Sequence, residues 1–200
     1  MSANLFETDI LFLQRILAVS GFYRDKLDGK WSATVDAAEE AFIAESERIK
    51  TELGAFDKRT EDNIMTLIPA AQRKAREFMN AVVGRSLTYK ILSGTRTYAE
   101  QDALFSKRPK VTNAKGGESN HNFGIAWDVG IFENGKYYTG ATDKEEQAYI
   151  ELGAFIKANV RGLEWGGDWK SFKDRPHYQL ATGKSENQIR ALLENGNAFV

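Results

Sequence analysis

Apolar residues recur every three or four positions in several stretches of the chain, the spacing that places them on one face of an α-helix. Pro69 begins one of these stretches, Thr97, Thr142 and Ser185 are predicted to cap three others, and glycine ends some of them. In the stretch that begins at Pro69, apolar residues up to Val83 are predicted to be buried and Gln72 to be exposed. Helices are therefore predicted over residues 9–19, in the alanine-rich stretch up to 42, and over 69–83, 97–105, 142–159 and 185 onward.

Segments rich in β-branched and aromatic residues lie between these helices and predict strands over 87–93, 123–132, 136–138 and 178–180. Asn134-Gly135 is typical of a tight hairpin turn. Because helices and strands are interspersed, we predict an α+β fold, an antiparallel sheet with flanking helices, preceded by a small helical N-terminal region. The predicted domains are residues 1–66 and 67–200.

The composition excludes several classes of function. The chain has 27 basic and 28 acidic residues, a formal net charge of -1, and so lacks the basic excess typical of nucleic-acid binding. It contains no cysteine, which excludes disulfides, a thiolate nucleophile and cysteine-based zinc sites. Any metal must therefore be held by histidines and carboxylates, and the chain has only 2 histidines.

The N-terminal stretch resembles a secretory leader in its apolar residues but not in its charges. Glu7 and Asp9 stand where a leader has a basic region. The sequence also has no uninterrupted apolar run of about 18 residues, the length that crosses a membrane. We therefore expect synthesis in the cytoplasm without a signal peptide, and no membrane insertion.

Both histidines lie in segments rich in turn residues and carboxylates. His121 precedes Asp128 by seven positions, an offset that puts side chains on opposite faces of a regular strand. The two can converge on one ion only if His121 lies on a loop and Gly124 bends the chain into the strand that carries Asp128. His177 follows Asp174 by three positions, with Pro176 between them.

Two imidazoles and one carboxylate supply the three protein ligands of a catalytic zinc site, whose fourth position is kept for water. Such a site would use His121, Asp128 and His177. Asp174 is then left over as a base. Glu118, Glu164 and Asp168 are alternatives for the base, since Asp174 can also be read as a turn residue before Pro176.

The order of these motifs resembles the zinc D-Ala-D-Ala carboxypeptidase and L-Ala-D-Glu endopeptidase family, which includes VanY-type carboxypeptidases and phage endolysins. The resemblance spans about residues 67–182. Its motifs are Ser93-Gly94-Thr95-Arg96-Thr97 with Gln101, Ser119-x-His121-x6-Asp128, Glu164-Trp165-Gly166-Gly167-Asp168-Trp169 and Asp174-x-x-His177.

The resemblance implies a Zn²⁺ cofactor on His121, Asp128 and His177, Asp174 as general base and acid, and Arg96 on the substrate or its oxyanion. Some relatives use Glu as the base, so the shorter Asp174 departs from their pattern. Ser119, Trp165 and Trp169 are candidate substrate-binding residues. Alternatively, Arg96 pairs with Glu100, Ser119 caps its loop, and the tryptophans, with Trp127, are packing residues.

Residues 10–45 resemble a three-helix peptidoglycan-binding module through the Asp28-Gly29-Lys30-Trp31 turn and the helix after it, although Ser32 replaces the usual glycine. A supporting helical pack is the alternative. Together the resemblances imply an enzyme that cuts an amide in the peptidoglycan stem peptide, L-Ala-D-Glu first and D-Ala-D-Ala as the alternative. We expect the protein to be a monomer. It would act on the cell wall after release or secretion. A non-catalytic zinc-containing wall-binding protein is a further alternative.

Overall fold

The structure is a computed structural model that describes residues 6–200, so residues 1–5 of the predicted N-terminal region lie outside the described residues. Within the described range the helices are α1 (Glu7–Val19), α2 (Ala33–Leu53), α3 (Lys58–Ile64), α4 (Pro69–Val82), α5 (Tyr98–Ser106), α6 (Asp143–Asn159) and α7 (Glu186–Glu194). The strands are β1 (Thr88–Ser93), β2 (Ala126–Glu133), β3 (Lys136–Tyr137), β4 (Leu163–Trp165) and β5 (His177–Leu180).

The described chain divides into two compact units. One comprises the residues up to Arg48 with Arg96–Gly124 and Thr182–Val200, and the other comprises Ile49–Thr95 and Ile125–Ala181. This division follows the packing of the chain. The predicted helical region 1–66 and peptidase domain 67–200 stay a prediction.

The second unit contains the sheet. Its strands run in the order β1-β2-β5-β4, β3 pairs with β2, and every pairing is antiparallel. Asn134 and Gly135 form the tight turn between β2 and β3, both with positive φ. The predicted α+β fold with an antiparallel sheet and flanking helices is confirmed.

Helix α4 contributes the apolar face that covers part of this sheet. Phe78 is fully buried and meets the rings of Tyr178 and Trp127 edge-on, with centroids 4.7 and 6.4 Å away. Two predictions for α4 are wrong. Gln72 is buried because its amide donates to the Leu67 carbonyl oxygen at 2.8 Å, and Val83 lies just past the end of the helix, 70% exposed.

A buried ion pair joins α3 to α4 in the same unit. Both terminal nitrogens of Arg76 donate to the Glu61 carboxylate, at 2.9 and 2.8 Å, and Arg76 also donates to the Gly54 carbonyl oxygen at 2.8 Å. Glu61 accepts a further hydrogen bond from the Phe56 amide at 2.8 Å. The Arg76 side chain is completely buried. The two terminal nitrogens of Arg76 are satisfied within the fold, as a buried charge requires, while its Nε atom is buried without a hydrogen-bond partner among the described residues.

In the first unit, buried Gln14 of α1 fixes the Asp28-Gly29-Lys30-Trp31 turn. Its side-chain oxygen accepts hydrogen bonds from the amides of Asp28 and Gly29 at 3.0 and 2.9 Å, and its nitrogen donates to the Lys30 carbonyl oxygen at 3.0 Å. The turn leaves the Trp31 ring 41% exposed. One buried amide therefore holds the loop that presents this tryptophan.

Local capping predictions are confirmed. Thr97 and Ser185 form complete capping boxes, and Thr142 accepts from the Glu145 amide. Helix α2 is longer than predicted, and α3 and β4 were not predicted as elements. Among residues 6–200, none of the helices combines the length and apolar character needed to cross a bilayer.

Candidate metal centre

Asp128 and His177 are cross-strand neighbours in the sheet. The register of β2 and β5 places them directly opposite each other. The His177 Nδ1 atom lies 3.4 Å from the Asp128 Oδ1 atom, with the imidazole 5% exposed and the carboxylate 26% exposed. The sheet therefore aims one imidazole nitrogen and one carboxylate oxygen at a common point, with access from solvent on the carboxylate side.

His121 lies on a short 3-10 helix, Asn120–Phe123, as the seven-residue offset from Asp128 requires. Gly124 follows with φ of 71°, a left-handed conformation that favours glycine, and the chain then enters β2. The His121 side chain is 2% exposed, and its backbone oxygen accepts from the Arg96 amide at 3.1 Å. The predicted bend at Gly124 is confirmed.

His121, Asp128 and His177 each offer a ligand atom, and these atoms all lie within 4.8 Å of one another. Two atoms bound to a tetrahedral zinc at about 2.1 Å are roughly 3.4 Å apart. The 3.4 Å between His177 Nδ1 and Asp128 Oδ1 matches that value. Two imidazoles and a carboxylate are also a donor set that zinc accepts. The residues therefore fit a catalytic zinc ion.

The electrostatics of His177 reflect its carboxylate neighbours. Burial alone would lower the pKa of the imidazole. Hydrogen bonding to Asp128 and the charge of that residue, a hydrogen bond to Gln179 and the charge of Asp174 outweigh burial, so the pKa is raised above its ordinary value of 6.5. The surroundings of His177 thus favour a positive charge.

Asp174 lies in the turn that leads into β5 and is half-buried. Its amide donates to the Gly166 carbonyl oxygen at 3.0 Å, and its own carbonyl oxygen accepts from the His177 amide at 3.2 Å. A Cβ atom at position 166 would clash with the Asp174 carbonyl oxygen, so glycine is required there. The close approach at Gly166 fixes where Asp174 stands relative to His177.

The alternative bases make other contacts. The Glu118 carboxylate accepts from the Lys115 amide at 2.9 Å, and exposed Asp168 pairs with Lys157 at 2.8 Å. Glu164 accepts from the Gln179 side chain at 2.8 Å. Glu118 and Asp174 each precede a metal-cluster histidine by three positions, and the charge of Asp174 acts on His177.

Arg96 lies directly before α5. Its Nη1 atom donates to buried Gln101 at 2.9 Å, and its backbone oxygen accepts from the Asn122 side chain at 2.9 Å. Glu100, the alternative partner of Arg96, accepts from the Thr97 amide at 2.7 Å in the capping box. Ser119 precedes the 3-10 helix and forms no side-chain cap there.

The tryptophans differ in burial. Trp127 is completely buried in the core, as its packing interpretation predicts. Trp165 is 7% exposed and its indole nitrogen donates to the Arg175 carbonyl oxygen at 2.8 Å. Trp169 is half-buried, with its ring 4.9 Å from the His177 ring. Substrate binding by Trp165 and Trp169 stays a prediction.

Sequence reasoning missed Gln179. Its Oε1 atom lies 2.9 Å from His177 Nε2, and its Nε2 atom donates to Glu164. The available signal was strand periodicity: His177 and Gln179 are two residues apart on β5 and so share one face. Glu164 lies directly opposite Gln179 in the register of β4 and β5.

Comparison with known proteins places these residues in a family. A family model described as D-alanyl-D-alanine carboxypeptidase matches residues 112–180, which include His121, Asp128, Asp174 and His177. The peptidoglycan L-alanyl-D-glutamate endopeptidase CwlK of Bacillus subtilis (strain 168) is 34% identical over 129 residues, covering 57% of this chain and 73% of CwlK.

Among solved structures, the L-Ala D-Glu endopeptidase ChiX of Serratia marcescens is 26% identical, with a TM-score of 0.48, covering 62% of this chain and 88% of that chain. The similarity to CwlK extends over most of that protein. The chain therefore belongs to the D-alanyl-D-alanine carboxypeptidase and L-alanyl-D-glutamate endopeptidase family that its motifs resemble.

Proposed function

We propose that this protein is a zinc-dependent peptidoglycan hydrolase that cleaves the L-Ala-D-Glu amide of the stem peptide. The observation that carries the proposal is the His121, Asp128 and His177 cluster, with Asp174 one turn of chain before His177. The 34% identity to an L-alanyl-D-glutamate endopeptidase supports the choice of bond.

His121, Asp128 and His177 would hold the ion. Bound zinc supplies polarisation of a carbonyl group and lowers the pKa of a water molecule to about 7. The chain contributes the geometry: the antiparallel register sets Asp128 against His177, and the bend at Gly124 brings in His121. Both imidazoles are almost completely buried, which limits their contact with solvent.

Asp174 is proposed to take the proton of the attacking water and to return it to the leaving amine. A carboxylate can do both because its two roles are the same proton transfer in opposite directions. Arg96 is proposed to bind a substrate carboxylate or the developing oxyanion. Its planar guanidinium can donate two parallel hydrogen bonds to a carboxylate, and Gln101 orients it.

Digestion of purified sacculi tests the bond. Mass spectrometry of the products should show new L-Ala carboxyl termini and D-Glu amino termini, and chelation of zinc should stop their formation. Release of free D-Ala without these termini would instead identify a D-Ala-D-Ala carboxypeptidase, the alternative that uses the same metal chemistry with a different pocket.

We also propose that the N-terminal region binds peptidoglycan and that the monomeric protein acts on the wall after release or secretion. The supporting observation is Trp31, whose ring is 41% exposed on the turn that Gln14 fixes. Sedimentation of the full chain with sacculi should fall for Trp31→Ala and remain unchanged for Phe172→Ala, a control at another exposed aromatic residue. Equal sedimentation of the two variants would leave the region a supporting pack.

A further inference from the structure

The contact between His177 and Gln179 determines which imidazole nitrogen carries hydrogen. A glutamine amide has one end that only accepts hydrogen bonds and one end that only donates them. Its orientation is deduced from the partners on both sides. Here those partners are His177 Nε2 at 2.9 Å from Oε1 and Glu164 Oε2 at 2.8 Å from Nε2.

Glu164 fixes the orientation of the amide. An ionised carboxylate only accepts, so the NH₂ end of Gln179 must face Glu164. The carbonyl end then faces His177, and because this oxygen only accepts, the hydrogen of the imidazole must be on Nε2. In a neutral ring that leaves the lone pair on Nδ1, the atom that lies 3.4 Å from Asp128 Oδ1.

We propose that Gln179, oriented by Glu164, is a positioning residue that keeps the His177 hydrogen on Nε2 and so presents Nδ1 as the nitrogen that binds the metal. The inference rests on the proposed zinc site. Partners of this kind, one contact removed from the metal, orient histidine ligands in other metalloproteins. Here the chain of contacts extends from a buried imidazole to the exposed side chain of Glu164.

The sheet supplies the alignment. Asp128 is opposite His177 on β2, and Glu164 is opposite Gln179 on β4. His177 and Gln179 share a face of β5. All four side chains are therefore set by the register of three neighbouring strands.

The decisive variant is Glu164→Lys in the full chain. Lysine only donates, so the Gln179 amide should turn round and direct its NH₂ group at His177 Nε2, which moves the hydrogen to Nδ1. Residue 164 is exposed, so the fold should tolerate the change. The second variant, Glu164→Lys with Gln179→Glu, pairs the new lysine with a residue that only accepts and should return the hydrogen to Nε2.

The readout is the pair of imidazole ¹⁵N shifts of the zinc-free, ¹⁵N-labelled protein, measured at a pH where the ring is neutral. The chain has 2 histidines, so a His121→Asn variant assigns the signals of His177. The zinc dissociation constant is measured in parallel. Glu164→Lys should weaken zinc binding by about 10–100-fold, the usual effect of removing such a partner, and the double variant should restore it.

A matched control exists on α6, where Gln147 donates to Glu151 at 3.2 Å on an exposed face. Glu151→Lys, alone and with Gln147→Glu, makes the same charge changes without a histidine and should alter neither readout. Gln179→Leu, which removes the acceptor without adding charge, should give a mixture of the two tautomers and weaker zinc binding.

Two results would overturn the inference. One is a wild-type His177 with its hydrogen on Nδ1, and the other is Glu164→Lys with unchanged ¹⁵N shifts while the wild type binds zinc and cleaves sacculi. In both cases the proposed function would stand. A wild-type protein that binds no zinc would overturn the proposed function and this inference together.

Discussion

The unit that contains the sheet has two pairs of facing side chains, Arg76 with Glu61 and His177 with Asp128. The two pairs differ in how closely their atoms approach and in how far they are exposed. The first has four hydrogen bonds of 2.8 or 2.9 Å from Arg76 and to Glu61, and its arginine is completely buried. The second leaves 3.4 Å between its facing atoms and has a carboxylate that is 26% exposed. Both pairs join neighbouring elements, but only the second keeps room for an ion.

The comparison distinguishes an ion pair that stabilises the fold from a pair of side chains that can bind a metal ion. Burying an ion pair costs desolvation, which close hydrogen bonds within the protein offset for Arg76 and Glu61. The His177 Nδ1 and Asp128 Oδ1 atoms lie 3.4 Å apart, the separation of two atoms that bind one zinc ion. Substitutions in the two pairs should therefore have different consequences.

The largest effect on function is expected for His177→Ala. Removal of one of the proposed ligands should abolish zinc binding and reduce hydrolysis of sacculi to background. Zinc at about 100 times its dissociation constant should stabilise the wild type by about 2.7 kcal/mol and should not stabilise the variant. Metal analysis and thermal melting with and without zinc measure both effects. Stoichiometric zinc in the variant would contradict the proposed ligand set.

Asp174→Asn should separate zinc binding from catalysis. The amide keeps the shape of the carboxylate but cannot accept the proton, so kcat should fall by about 10²–10⁴-fold. Zinc content should remain that of the wild type. Full activity in the variant would move the base to another carboxylate, and an inactive wild type with bound zinc would favour the non-catalytic wall-binding alternative.

Glu61→Ala tests the structural pair. Loss of the carboxylate leaves Arg76 as a buried charge without its counter-ion, which should lower the free energy of unfolding by about 3–5 kcal/mol. Urea denaturation measures the change, and the folded variant should still bind zinc. Replacing both residues, Glu61→Leu with Arg76→Met, should cost much less. If the double variant were destabilised as much as Glu61→Ala, the ion pair would stabilise the fold by more than the desolvation of its two charges costs.

The smallest effect is expected for a carboxylate outside both pairs. Burial would raise the pKa of Glu145, but hydrogen bonds from Thr139 and the amides of residues 139–141 outweigh it and lower the pKa below 4.5. A lowered pKa in the folded state stabilises the protein above the pKa of the unfolded chain, and this contribution is lost as the pH falls through the folded value.

The expected result is that Glu145→Gln unfolds more readily than the wild type at neutral pH and that the difference disappears in acid. Urea denaturation at a series of pH values provides the comparison. A difference that grows as the pH falls would reverse the assigned direction of the pKa shift.

Much of the fold was predictable because it depends on neighbouring residues. The caps at Thr97, Thr142 and Ser185 and the Asn134-Gly135 turn are local, and the sequence determines them without reference to distant segments. The bend at Gly124 was predictable for the same reason, since a seven-residue offset cannot converge on a straight strand.

Two features that periodicity did not predict are the buried amides of Gln72 and Gln179. Gln72 is buried because the Leu67 carbonyl oxygen needs a donor, which periodicity does not reveal. In the metal centre, the contact of Gln179 with Glu164 follows from the register of β4 and β5, and the three-residue strand β4 was not predicted.

Helices α1 and α7 are far apart in sequence and pack against each other. Phe12 of α1 meets the Tyr98 ring at 6.0 Å, and the Tyr98 hydroxyl donates to Glu194 of α7 at 3.3 Å. A ribosome releases residues in order, at about 5–20 per second. Helix α1 therefore reaches its final surroundings only after α7 has left the exit tunnel, and truncation of the chain before α7 would disturb the packing of α1.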